Sequence, residues 1–145
     1  MTSPQKKGFE IMSVSNVFGP VDIAVSGMRA NAKHMEVISS NIANSRTADA
    51  GGGQPYRRLE AVFQPEGDEL GGVAVGDIIQ DNSALQRIYD PGNPRADASG
   101  YVTMPNVHLP VEMMNLTVAS RAYQANAAIL KRYQQMVEIT LELLR

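Results

Sequence analysis

The chain has 145 residues, 13 basic and 15 acidic, for a formal charge of −2, and no cysteine. That length carries about one domain, and the near-neutral balance disfavours nucleic-acid binding driven by phosphate neutralisation. The missing thiol excludes disulfide frameworks, thiolate nucleophiles and Cys-ligated metals. His34 and His108 stand far apart in sequence, without a second ligand type at metal spacing, so they read as ordinary polar residues and no metal or cofactor is expected.

No run of about 18 apolar residues exists to span a membrane, and Lys6 and Lys7 precede only a broken apolar stretch, unlike a cleavable secretory signal. Charge is uneven along the chain. Residues 1–48 hold five basic and three acidic groups, residues 49–110 four and nine, and residues 111–145 four and three. The acidic middle is also where glycine and proline gather, so the order reads helix, irregular or extended middle, helix.

Residues 1–16 offer little apolar surface and no period, which predicts a flexible start. From Val21 a heptad stripe runs through Val25, Met28, Ala32, Met35 and Ile42, with Asp22, Arg29, Lys33, Glu36 and Ser40 opposite it. This predicts an amphipathic helix of about 24 residues, roughly 36 Å long, with Asn44, Ser45, Thr47 and Gly51 as stop signals.

In the middle, residues 58–63 alternate, Val73 to Ile79 and Leu85 to Tyr89 are further strand candidates, and Tyr101 to Met104 follows the turn cluster Asp90–Pro94. The expected product is one small antiparallel sheet that leans on the helices or on neighbouring subunits. Gly51 to Gly53 follows no apolar strand and precedes no Lys-Ser or Lys-Thr pair, so it reads as a linker rather than a phosphate loop. Glu66, Asp68 and Glu69 read as a solvated acidic surface, and without a nucleophile elbow or a defined carboxylate pair no enzyme is expected.

The last stretch carries the strongest pattern: Leu116, Ala119, Tyr123, Asn126, Leu130, Tyr133, Val137, Thr140 and Leu144 keep a three-four alternation. From Val111 to Leu144 this predicts a helix of roughly 50 Å, with Pro110 tolerated at its start. A second seam runs beside the first through Val118, Ala122, Ala125, Ile129, Met136, Ile139 and Leu143, broken by Arg132. The first helix covers one seam; the other is left either to another molecule or to the folded middle segment. Asn126 has two readings as well, a register-fixing residue within the seam or a solvent-facing one.

Particular runs carry a resemblance. Ser26-Gly27-Met28 with Ile38 to Asn44, and Asn106, Val107, Glu112, Met113 with Ser120 to Asn126, are similar to the terminal signatures of flagellar rod and hook proteins. Gly53 to Arg57, Pro91 to Pro94, Gly100 to Val102 and Met104 to Asn106 resemble the proximal-rod members, which lack the larger inserted domains of hook and distal rod proteins. His108 stands where family members often have an acidic residue, and the extension before Val14 is longer than usual.

The resemblance implies an α+β fold: long terminal helices paired as a coiled-coil-like axial core (D0) domain, residues 17–48 and 111–145, with a β-rich insertion over residues 49–110. It implies a structural subunit of the bacterial flagellar basal body, exported without a cleavable signal through the flagellar type III apparatus and polymerised into a torque-transmitting shaft across the periplasm. Implied partners are copies of itself, other rod subunits, the protein joining the rod to the MS ring, and distal rod proteins, with no nucleic acid and no membrane insertion. Val25, Met28, Met35, Ile42, Leu116, Tyr123, Asn126, Ile129, Leu130, Tyr133, Met136 and Val137 are the candidate subunit-interface residues. Another short rod subunit, or a helical export chaperone or adaptor, is the alternative. The uncovered apolar seam also predicts that the terminal helices of an isolated subunit order fully only on assembly.

Overall fold

The computed structural model describes residues 14–67 and 71–145. Among them, helices α1 (Val14–Ala43) and α2 (Leu109–Leu143) bracket four short strands, β1 (Leu59–Glu66), β2 (Gly72–Gln80), β3 (Gln86–Tyr89) and β4 (Tyr101–Met104). The helix–strand–helix order and the α+β class read from the sequence are the order and class of the fold. Residues 1–13 of the expected flexible start, and Asp68 and Glu69 of the acidic cluster, lie outside the described residues.

α1 does not wait for Val21. It begins at Val14 and runs through Pro20, where the proline forfeits one amide bond while the turns on either side stay helical. It ends where the polar cluster takes over its last carbonyls: both the backbone N and Nδ2 of Asn44 donate to the Ser40 carbonyl, and Ser45 Oγ donates to that of Ile42. α2 opens with Pro110 in its first turn, and the amides of Val111 and Glu112 both donate to the His108 carbonyl. Glu112 in that turn also favours the positive end of the helix dipole.

The two helices run antiparallel. Gly27 lies against Asn126, and Asn41 bonds to Glu112. These contacts are two heptads apart on each helix, so α1 and α2 keep one register between them. Among the described elements α2 packs on α1 alone, whereas α1 also carries the β1–β2 hairpin.

This double duty explains a departure from the predicted core. The heptad stripe Val21, Val25, Met28, Ala32, Met35 and Ile42 is only half-covered, and the deeply buried α1 residues are Ala24, Ser26, Gly27, Ala30, Val37, Ile38 and Asn41, displaced around the helix. In the first half of α1, Ala24, Ser26, Gly27 and Ala30 are small where α2 and the β1–β2 hairpin approach it from adjacent sides. At Ser26, Oγ donates to the Ile23 carbonyl and accepts from the Val73 amide, and a Cβ at Gly72 would sit 2.0 Å from that oxygen.

The predicted single sheet is instead two separate hairpins, β1–β2 and β3–β4, each antiparallel. The break falls where side chains take over the backbone groups after β2: Asp81 Oδ1 accepts from the Ser83 amide, and Asn106 Nδ2 donates to the Asp81 carbonyl and Ser83 Oγ. A bulge between Val62 and Phe63 shifts the β1–β2 register. Phe63 still meets α1, its ring edge-on to His34 at 5.2 Å between centroids.

The three glycines read as a linker form a tight turn. Gly51, Gly52 and Gly53 all have positive φ, which favours glycine, and the amides of Gly51 and Gly53 both donate to Asp49 Oδ1. Asp49 Oδ2 accepts from Arg95, joining this turn to the loop between β3 and β4.

Candidate assembly surface

At one end of the helix pair lies a buried polar latch. Asn41, fully buried, presents Oδ1 to the Leu59 amide at 2.8 Å and to the Tyr56 hydroxyl at 3.0 Å. Its Nδ2 donates to the Leu59 carbonyl at 2.8 Å and to Glu112 Oε2 at 3.1 Å. Glu112, 1% exposed, takes the Arg58 Nε at 2.8 Å on its other oxygen.

Asn106 completes the latch by accepting from the Arg58 amide at 2.9 Å. The end of α1, the approach to β1, the exit from β2 and the first turn of α2 thus meet in one network. Among the described residues no buried side-chain polar atom lacks a partner. Burial works against the Arg58 charge, but the hydrogen bond and charge of Glu112, with Glu60 and Asp81, hold its pKa above the ordinary value. Burial pushes the nearby His34 imidazole below its ordinary value, with Glu112 and Glu60 pulling upward and Arg58 downward.

Along the helix pair the predicted interface residues separate into two sets. Val25, Met28, Met35, Ile42, Leu116, Tyr123, Asn126, Leu130 and Tyr133 are half-buried. Asn126 lies against Gly27, where a Cβ would come within 2.7 Å of its Nδ2, so the seam-facing reading of this residue holds over the solvent-facing one. Ile129, Met136 and Val137 are exposed.

Among the described residues nothing covers the second seam. Val118 at 62% exposure, Ile129 at 49%, Met136 at 55%, Ile139 at 59% and Leu143 at 82% form an apolar stripe along one flank of α2. The described strands do not fold over this stripe, since α2 meets α1 alone among the described elements.

Asn41, Tyr56, Arg58, Asn106 and Glu112 were not singled out as functional by periodicity. Asn41, Tyr56, Asn106 and Glu112 do fall inside the quoted signature runs, and a buried polar network is what such non-periodic residues build. Among the described residues no three His, Asp or Glu side chains are placed to hold a metal ion, and no helix is long and apolar enough to cross a membrane.

Comparison with known proteins agrees with this architecture. A family model described as the C-terminal part of flagellar basal body rod FlgEFG proteins matches residues 98–143, and one described as flagella basal body rod protein matches residues 22–48. Flagellar basal-body rod protein FlgC of Salmonella typhimurium is 43% identical over 135 residues, 91% of this chain and 98% of its own length. The protein of that name from Yersinia enterocolitica is 44% identical over 135 residues, 91% of this chain and 98% of its own length. That from Agrobacterium fabrum is 39% identical over 127 residues, 85% of this chain and 91% of its own length. The chain belongs to the FlgC family of flagellar basal-body rod proteins, a family of structural subunits and not of enzymes.

Proposed function

We propose that this rod subunit polymerises through the uncovered flank of α2 into the proximal part of the flagellar rod, a shaft that crosses the periplasm and transmits torque. The observation that carries this reading is the stripe Val118, Ile129, Met136, Ile139 and Leu143, left open by the described residues. A shaft must resist twisting, and long helix-to-helix contacts resist it better than scattered surface pairs. Contacts between unlike faces build open helical assemblies rather than closed rings when the rotation does not close.

The same reading divides the chain into a flexible start at 1–16, an axial core of residues 17–48 and 111–145, and a β-rich insertion at 49–110. We read the α1–α2 pair as coiled-coil-like; the contacts repeated two heptads apart on both helices support this. Its partners are copies of itself, other rod subunits, the protein joining the rod to the MS ring, the distal rod proteins and, before assembly, the flagellar type III export apparatus. Ile129, Met136 and Val137 are assigned to contacts between subunits.

The test is Met136→Asp, made in flagellated cells and in purified protein. A carboxylate on the open stripe should abolish motility and basal-body incorporation while leaving the unfolding midpoint of the monomer unchanged. Normal incorporation of the variant overturns the reading. Circular dichroism of the purified monomer adds a second arm: helix content well below that of two full-length helices is expected before assembly.

A further inference from the structure

The groove on the other flank of the helix pair is the natural counterpart of the open stripe. It has a volume of about 220 Å³ and is lined by Val25, Met28, Ala32, Tyr123 and Leu130, with Arg29 at its rim. At 100° per residue, Ala119 and Asn126, the α2 residues turned to α1, stand between Tyr123 on the groove side and Val118 and Ile129 on the open side. Groove and stripe therefore face away from each other, and no single chain brings its own stripe to its own groove.

We propose that the groove of one copy receives the α2 stripe of a second copy. This rests on the reading that the stripe is an assembly surface, and names what it meets. The groove is the outer edge of the α1–α2 seam, so a third helix laid there extends an apolar interface that already exists. α2 is the described helix with an uncovered apolar stripe long enough to follow it.

The margins also differ in charge. Arg121 and Arg132 edge the stripe without an acidic neighbour on that flank, while the outer side of α1 beyond the groove is balanced, exposed Asp22 and Glu36 standing with exposed Arg29 and with Lys33, which bonds to Glu36. A stripe that met an identical stripe would instead oppose arginine margins and close a two-fold pair, leaving the groove empty. Donor and acceptor on opposite flanks leave one of each free after every addition, so growth stays open.

The absence of cysteine makes the test clean. Two differently tagged copies are co-expressed in flagellated cells, one with a groove cysteine (Met28→Cys or Ala32→Cys), the other with a stripe cysteine (Ile129→Cys or Met136→Cys), and the periplasm is oxidised. A disulfide needs Cα atoms within about 7 Å, so crosslinking reports direct packing, and four pairings allow for an axial offset between copies. Groove-with-stripe mixtures should give a dimer carrying both tags, and either variant alone none.

A chain carrying one cysteine of each kind should give a ladder of higher multimers. Stripe cysteines that crosslink only to each other overturn the groove assignment while leaving the stripe as an assembly surface. Rods that form normally with no crosslink in any pairing also overturn it. Normal assembly of Met136→Asp removes the underlying reading itself.

Discussion

The two ends of the α1–α2 pair solve opposite problems. At the latch, Asn41, Arg58, Asn106 and Glu112 satisfy one another inside the chain. Toward the C-terminus of α2, Met136, Ile139, Leu141 and Leu143 are exposed, and nothing among the described residues covers them. Buried polar groups tolerate only a narrow set of partners and fix one geometry, whereas apolar area is non-directional and serves a surface completed by another molecule. One end sets the helix angle, and the other spends its apolar area outside the chain.

The largest effect should come from cutting the latch. Glu112→Ala takes from the Arg58 guanidinium and Asn41 Nδ2 the carboxylate they share; because Glu60 and Asp81 stay beside Arg58 and the Leu59 carbonyl still accepts from Asn41, the loss is about 2–3 kcal/mol, that of a charge-assisted bond removed. Urea unfolding of the purified variant measures it. Glu112→Gln, which keeps the shape and an acceptor oxygen, should lose less. Equal losses would mean that the charge at the latch contributes nothing and that the contrast between the two ends is one of packing alone.

Next is the seat of the β1–β2 hairpin on α1. Gly72→Ala places a Cβ 2.0 Å from Ser26 Oγ and 2.6 Å from Ser26 Cβ. Either the hairpin backs away or Ser26 abandons its bonds to Ile23 and Val73, and crowding of this kind destabilises by about 1–3 kcal/mol. Adding Ser26→Ala should not rescue the variant, since the Ser26 Cβ remains in the way, while Ser26→Gly should recover part of the loss. Thermal unfolding of the three variants separates these outcomes.

How legible this was follows from the kind of signal each part leaves. Periodicity revealed the long helix and its second seam, because Val118, Ile129, Met136 and Ile139 repeat at helical spacing whether or not anything covers them. It misplaced the centre of α1, since Ala24, Gly27 and Ala30 are buried for being small, and smallness has no amphipathic signature. It could not find the latch at all: Asn41, Arg58 and Glu112 come from three segments and share no spacing. The separation of the strands into two hairpins was equally hidden, being decided by bonds from Asn106 to the turn after β2.

A smaller effect is expected midway along the seam. Gly27→Ala presses a Cβ to 2.7 Å from Asn126 Nδ2, the end of a side chain that can swing aside. The loss should be about 1 kcal/mol and should be coupled to Asn126 in a double-mutant cycle with Asn126→Ala. Additive losses would show that Asn126 is no register peg and leave the latch as the sole pin between the helices.

The smallest effect is a pH dependence confined to the latched end. Burial against Phe63 lowers the folded pKa of His34 below its ordinary value near 6.5, with Glu112 and Glu60 opposing and Arg58 assisting. The unfolded chain therefore binds the proton more readily than the folded one, and stability rises with pH across this group's titration. Its contribution is full above the unfolded pKa and is lost as pH falls below about 6.5 toward the lowered folded value. His34→Gln should flatten the unfolding midpoint over that window, leaving the acid loss from Asp49, Asp81 and Asp97, whose pKa values are also lowered, to appear only at lower pH. The Asp49 carboxyl is held down first by its bond from Arg95, Asp81 by the Ser83 amide and Asp97 by the Tyr101 amide, none of them near the open stripe. Acid should thus loosen the end that the chain completes by itself before it alters the surface left for a neighbour, and a variant midpoint that still falls between pH 7 and 5 as in the parent would remove His34 from that account.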